Sequence, residues 1–519
     1  MKLVFTASIF SFACLSAGII RGQAGGLDNS FGNGGVVTTD LSGVQNYGHA
    51  SVLQPDGRIL VVGVSYGPVD TTFTVLRYES DGALDPTFGT GGAVQLNFNG
   101  SEAQGLDIAL QADGRIVVGG IATGVNYDFG IARLMPDGSL DPSFDGDGYL
   151  ITNAGPWSDS MCSLLVQTDG RILIAGISFS PNAGPWAIMR FEADGSPDPT
   201  FGIGGIVTEP ADTATVTLPT AMALQSDGKI LLAGRQGSAG TEDFGITRRN
   251  TDGSPDLSFG TNGWAIWDIN STNDQPGSIV VQPDGKIIVC GASGISAPPW
   301  NWSMTLLRCN ADGTLDNSFG QGGITSVYGG SELLPIARCA LQFDGRIVVS
   351  SFIRTMGGND MLKLYRCTSN GLLDPSFDLD GSLISDPTSS WEWAYDVLIQ
   401  PDQKIVVTGL SGADIMVLRY LNDLDIGVAE FAMDAGTALV YPNPINAASS
   451  FTYTLTKEES LTLQVFDATG RVARSLFSNA KRPLGEHRET LDLSGLAAAN
   501  YTVVLSSAEG SVSVKVVKE

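Results

Sequence analysis

Two histidines occur in the 519 residues, His49 and His487, and only His49 lies in the repeated region described below. A histidine-based zinc centre or a Ser-His-Asp triad there would depend on a single imidazole, and His49 is expected to cap an inner strand instead. Carboxylates are the remaining chemical groups. Asp145-Gly146-Asp147-Gly148 and Asp378-Leu379-Asp380-Gly381 space acids as calcium loops do, but neither continues to the distal Glu of an EF-hand. Asp145, Asp147, Asp378 and Asp380 are therefore calcium candidates whose plainer reading is an ordinary turn. Two acids with separated pKa values, drawn from Glu102, Asp107, Glu332, Glu392 and Asp396, could run glycoside hydrolysis or lyase chemistry without histidine. Neither GxGxxG nor a phosphate-cradling GK[ST] stands between a strand and a helix, so no nucleotide cofactor is expected.

What must position these groups is a repeat. LDNSFGNGG from Leu27 returns as LDPTFGTGG, LDPSFDGDG, PDPTFGIGG, PDLSFGTNG, LDNSFGQGG and LDPSFDLDG, the last from Leu373. QPDGRILVVG from Gln54 keeps step with it through seven copies, ending as QPDQKIVVTG from Gln400. A third phrase, typified by FTVLRYESDG from Phe73, closes with DIMVLRY at Asp414–Tyr420. Self-similarity at this period indicates a propeller or a solenoid. Each unit holds four short β-type runs, the number in a propeller blade, separated by Asp-Gly, Pro or Gly turns. The Asp-Gly of QPDGR sits where a hairpin turn needs positive φ.

The two ends of the array are complementary. The last unit stops after three runs, and residues 34–40, GGVVTTD, are the strand it lacks. An N-terminal strand completing the last blade would close the ring and leave no sheet edge, whereas an open solenoid would need no such ends. The three phrases together resemble the delta-60 repeat, a seven-bladed β-propeller family, across residues 27–421. Departures occur at Asp145 and Asp378, which replace Gly after Phe, at Gln403, which replaces the turn Gly, and at Ser350 with Ser351. The resemblance implies a fold and transfers no catalytic residue.

In that fold the repeated turns share one face of the disc, and the irregular loops occupy the other. The loops carry Trp157, Trp186, Trp300, Trp302, Trp391 and Trp393, accompanied by Glu102, Asp159, Asn273, Asp274, Glu332, Glu392 and Asp396. Loops free of scaffold demands can carry recognition, and aromatic planes beside carboxylates suit sugar rings or peptide side chains. The tryptophans could equally serve to cover the blade tops.

A separate module follows residues 422–436, an acidic connector. Residues 437–519 alternate apolar and polar positions between Gly and Asp turns, as in a small β-sandwich. Tyr441-Pro442-Asn443-Pro444, the turn Asp467 to Arg471, Leu493-Ser494-Gly495-Leu496 and the terminal VKVVK resemble the C-terminal sorting domain of the Bacteroidetes type IX secretion system. That resemblance implies handling by the type IX machinery, passage through the periplasm, and surface anchoring or release. Residues 1–24 fit a secretory signal peptide: Lys2, an apolar run from Leu3 to Ile20, then small residues.

Composition bounds the rest. Charged residues are 16% of the chain against 65 glycines, a balance of many strands and tight turns, so the chain is expected to be all-β. The net charge of −26 repels phosphate, which excludes nucleic acid and leaves cationic or neutral partners. No transmembrane segment is expected, and a monomer is. Past residue 24 five cysteines remain, without CxxC spacing, and read as buried free thiols. The sequence thus predicts an exported, non-enzymatic propeller that binds a glycan or an extracellular protein, with a carbohydrate-active enzyme or a purely structural surface disc as the other readings.

Overall fold

The computed structural model describes residues 24–518 apart from 42–43, 69, 99–101, 125, 180–185, 209–215, 239–240, 270, 296–300, 329–336, 355–359, 389, 423–438, 442–444, 446–447, 456, 467–471, 498 and 508–510. Trp300, Glu332, residues 1–23, most of the 422–436 connector, Pro442 to Pro444 and the Asp467–Arg471 turn lie outside the described residues. The chain divides into two compact units at Asp423 and Leu424. Among the described residues every regular element is a strand and no helix is long and apolar enough to cross a membrane.

The first unit holds seven four-stranded antiparallel sheets, consistent with the blades of a β-propeller. Blade 1 comprises Gln45–Leu53, Ile59–Tyr66, Thr71–Tyr78 and Ala93–Leu96. Blades 2 to 6 cover 103–152, 159–208, 216–267, 273–328 and 338–385 in the same order. The last sheet is built from both ends of the array: Glu392–Ile399, Ile405–Ser411 and Asp414–Tyr420 take Val36–Thr39 as their fourth strand. Val36 lies opposite Leu418 and Thr39 opposite Ile415.

The middle strands of each blade are continuous apolar runs because both of their faces are covered by neighbouring blades. Ile59, Leu60, Val61 and Val62 are all buried, and their counterparts in later blades behave alike. Between blades the side chains form separate apolar cores, such as the one joining Leu60, Val62 and Phe73 to Ile108 and Ile116. The repeated glutamine-to-glycine turn has Gly57 at φ 90°, and Gln403 keeps that left-handed backbone at φ 68°. Asp145 and Asp378 likewise hold φ 49° and 45°, beside 51° to 54° for the glycines they replace.

The second unit contains a three-stranded sheet, Leu439–Tyr441, Ala448–Leu455 and Gly485–Asp492, and a four-stranded one. The latter runs Val472–Arg482, Glu459–Phe466, Ala499–Ser506, Ser511–Lys518. One core takes Phe451, Tyr453 and Leu491 from the first sheet and Leu463, Val503 and Leu505 from the second.

Candidate functional site

On the turn face the three repeated phrases meet in one network. Arg77, Arg133, Arg190, Arg248, Arg308, Arg366 and Arg419 each donate through Nε to an aspartate at 2.6–2.9 Å. The acceptors are Asp85, Asp141, Asp198, Asp256, Asp316, Asp374 and, for Arg419, Asp28 from the opposite end of the array. Each guanidinium also lies over the phenylalanine of its LDPTFG phrase, 4.5–5.1 Å from the centroid. It reaches a backbone carbonyl of the next unit as well, from Pro136 for Arg77 round to Ser80 for Arg419. A second cation, the Arg or Lys of the glutamine phrase, completes the cluster, as Arg171 does on Asp198 at 3.2 Å. Such paired and hydrogen-bonded charges can be buried. Burial alone would raise Asp28 and Asp141, but serine hydrogen bonds and arginine charge outweigh it and hold both at about 2. This face is scaffold.

The inner strands carry a second ring. Blades 1 to 5 and 7 each show a β-bulge at one place, between Gly48 and Ala50 in the first and between Ala394 and Asp396 in the last. In blades 2, 3, 5 and 7 the residue after the bulge accepts a hydrogen bond from the next inner strand. Asp107 accepts from Leu164 N–H at 2.6 Å, Ser163 from Met222 N–H at 3.3 Å and Ser278 from Cys339 N–H at 2.9 Å. Asp396 accepts from the Ser51 N–H and hydroxyl, both at 2.8 Å, so the last inner strand is tied to the first. Arg338 donates to the Gly277 carbonyl, and its charge acts on His49, Asp107, Cys162 and Asp396. His49, Asp107, Cys162, Arg338 and Asp396 are all half-buried on these inner strands. Burial, with Asp396 adding, pushes Asp107 up to about 6 against the Leu164 and Ile108 amides; Asp396 is raised by burial as well.

Above them the loop face carries a run of aromatic rings. Trp391 immediately precedes the inner strand of the last blade, which begins at the buried Glu392 and carries Trp393 and, at its bulge, Tyr395. Trp391 and Trp393 pack at 5.3 Å, Trp393 stacks on Phe352 at 5.4 Å, and Trp393 meets Tyr395 at 6.3 Å. Tyr395 contacts His49 at 5.2 Å and Tyr47 at 6.3 Å, and Tyr47 meets Tyr66 at 5.8 Å. The run thus crosses from the last blade to the first. Trp393 is fixed at its edge by donating Nε1–H to Asp360 at 2.6 Å, and Asp360 is itself gripped by Arg354. The charge of Glu102, exposed near this end, acts on Tyr66 together with Tyr47 and Tyr127. Trp391, Trp393, Tyr395, His49, Tyr47 and Tyr66 are all half-buried, so each presents part of its ring surface.

The candidate residues separate accordingly. Trp391, Trp393 and Glu102 stand at or beside this run. Trp157 is exposed in a bend elsewhere on the loop face. Trp186 and Trp302 are 2% and 4% exposed; Trp186 packs on Trp264 under the Arg249 guanidinium, and Trp302 belongs to the core between blades 5 and 6. Their indoles pack the interior and offer no face to a ligand. Asp159, Asp274 and Glu392 anchor loops by accepting from the N–H groups of Ala154, Ile269 and Thr388. His49 does not cap a strand: it occupies the bulge of the first inner strand, stacked on Tyr47, with burial and then Arg338 pushing it down to about 4. Tyr47, Tyr66 and Tyr395 escaped the sequence reading because each lies inside a repeated strand. The signal for the inner-strand rings is that, seven and five residues before the repeated glutamine, the first and last units carry Tyr47, His49, Trp393 and Tyr395 where the other five units carry no aromatic ring.

Residues 54–88, 111–144, 167–201, 225–259, 282–319 and 342–377 match a domain of unknown function (DUF5122) beta-propeller, and residues 439–519 match a secretion system C-terminal sorting domain. No curated protein matches. Among solved structures the chain is similar to a protein of unknown function from Dyadobacter fermentans, at 13% identity, TM-score 0.36, covering 63% of this chain and 96% of that one. A PL25 ulvan lyase is similar at 11% identity and TM-score 0.42, over 78% and 95%. Drosophila Semaphorin 2a is similar at 9% identity and TM-score 0.47, over 96% and 99%. None of these distant likenesses bears on function. The chain carries six DUF5122 β-propeller repeats and a C-terminal sorting domain of the kind that marks proteins for export by type IX secretion to the cell surface or the extracellular space.

Proposed function

We propose that the protein is an exported binding module whose propeller takes a glycan on its loop face. In this reading residues 25–421 form a seven-bladed ring closed by the N-terminal strand, and 437–519 form a sandwich that serves as the sorting tag. The single observation that carries the binding role is the run of six half-buried rings from Trp391 to Tyr66. Sugar rings pair apolar C–H faces with hydroxyl edges, and aromatic planes flanked by Glu102, Asp360 and Arg354 complement both features. The net charge of −26 favours a neutral or amine-bearing glycan over an anionic one. The mature chain on a glycan array, followed by calorimetry, tests this. Trp393→Ala should weaken the selected glycan by about tenfold or more, since an aromatic contact is worth on the order of 1 kcal/mol beyond its buried area. Binding of an extracellular protein alone, or a glycan bound equally by wild type and Trp393→Ala, would sink the reading.

A catalytic reading draws on Asp107 and Asp396, two carboxylates of the inner strands, with Asp107 raised to about 6 as a general acid requires. Against it, oxygens of both carboxyls already accept from backbone N–H groups that tie the inner strands together. Reducing ends or unsaturated products accumulating with the purified chain, and lost in Asp107→Asn, would establish catalysis.

A further inference from the structure

At three blade boundaries a carboxylate from the third strand of one blade approaches the connection into the next. The positions correspond by register and by spacing from the repeated glutamine. They are Asp414, Asp40 and Asn46 at the first; Asp128, Asn153 and Asp159 at the second; and Asp243, Asp268 and Asp274 at the boundary between blades 4 and 5. The first two trios contain an amide, which relieves the repulsion of the acids around it. The third is all carboxylate.

The acid groups of Asp243, Asp268 and Asp274 each offer an oxygen, and these lie within 4.8 Å of one another. Asp274 is fully buried, Asp243 half-buried and Asp268 exposed, so the cluster opens to solvent on one side. None of the three forms an ion pair among the described residues. Asp274 accepts from Ile269 N–H at 2.7 Å and from the Thr272 hydroxyl at 3.0 Å. Ser293 lies opposite Asp274 on the paired strand and is 6% exposed; its hydroxyl faces the carboxylate but forms no hydrogen bond of good geometry. A buried hydroxyl without a partner costs free energy, and so do three carboxylates without a cation. Burial pushes Asp274 up to about 6, and Asp243 adds to the rise.

We infer that Asp243, Asp268, Asp274 and the Ser293 hydroxyl form a binding site for a hard divalent cation, calcium by preference. Calcium takes oxygen ligands at about 2.4 Å, so ligands on opposite sides of it stand about 5 Å apart, whereas magnesium demands a tighter octahedron. The three carboxylate oxygens, all within 4.8 Å of one another, lie close enough to share one ion. Bound cation would pin the connection Asp268 to Asp274 onto blade 4 and brace the loop face at that boundary.

The test titrates the mature full chain, stripped with EDTA, with calcium chloride and separately with magnesium chloride, reading heat of binding and melting temperature. Calcium should bind with a stoichiometry of one at this site and raise the melting temperature by mass action. Asp268→Asn restores the amide found at Asn153, so it should abolish the calcium response and melt higher than wild type in EDTA. No calcium binding at millimolar concentration would overturn the inference, and so would calcium binding of unchanged affinity in Asp268→Asn.

Discussion

Leu379 carries a side chain where the backbone turns left-handed, at φ 72°, and that side chain is 82% exposed with nothing to reward it. In the sister loop the same place belongs to Gly146, at φ 89°. A β-carbon in this region costs on the order of 1 kcal/mol, which glycine avoids. Leu379→Gly should therefore stabilise the protein by about that much, read as a higher denaturation midpoint at unchanged slope. Asp107 presents the opposite case, since its value of about 6 in the fold exceeds the 3.8 of the unfolded chain. Such a carboxyl contributes stability below pH 4, and the contribution is lost as pH rises through 6. Asp107→Asn should remove that decline, so the melting temperature of wild type minus variant should fall between pH 4 and pH 7. A constant difference would refute the assignment. At this scale the sequence was least readable. Composition drew attention to tryptophans, yet Trp186 and Trp302 are interior, while the tyrosines beside Trp393 were hidden in strands. Exposure depends on which face of a blade a position takes and on what the neighbouring blade lays over it.

The blade's repeated unit is an arginine in the third strand and an aspartate and phenylalanine in the turn that follows. Both phrases were visible in the sequence, seven times and in phase, but their contact was not, because nothing in spacing says that Arg190 folds back onto Asp198 eight residues on. The strands themselves were legible, since alternation and Asp-Gly turns are local signals. Breaking the unit separates buried from exposed charge. Arg190→Met leaves Asp198 buried without its guanidinium and should cost about 3–5 kcal/mol. Arg171→Met removes the outer, one-third exposed cation from the same aspartate and should cost about 1 kcal/mol or less. Equal losses in urea denaturation would show that the inner pair is not what holds the turn.

Six contiguous family matches against seven sets of phrases are explained by ring closure. The seventh glutamine phrase and its arginine strand lie at 400–420, whereas the aspartate and phenylalanine that complete them are Asp28 and Phe31. The N-terminal strand pairs with Asp414–Tyr420, Asp28 grips Arg419, and Gly25 N–H bonds the Leu421 carbonyl, so one short segment supplies a strand, a salt bridge and a turn. Deleting residues 25–40 should therefore expose the edge of the last blade and promote aggregation. Deleting 437–519 removes a unit that has its own core. That truncation should leave the propeller melting as before yet keep it in the periplasm, since the address is lost and the fold is not. Gel filtration, thermal melting and cell fractionation of both truncations distinguish the roles. A 25–40 deletion that eluted like the full chain at an unchanged melting temperature would refute the clasp, and surface delivery without 437–519 would show that the export signal lies elsewhere in the chain.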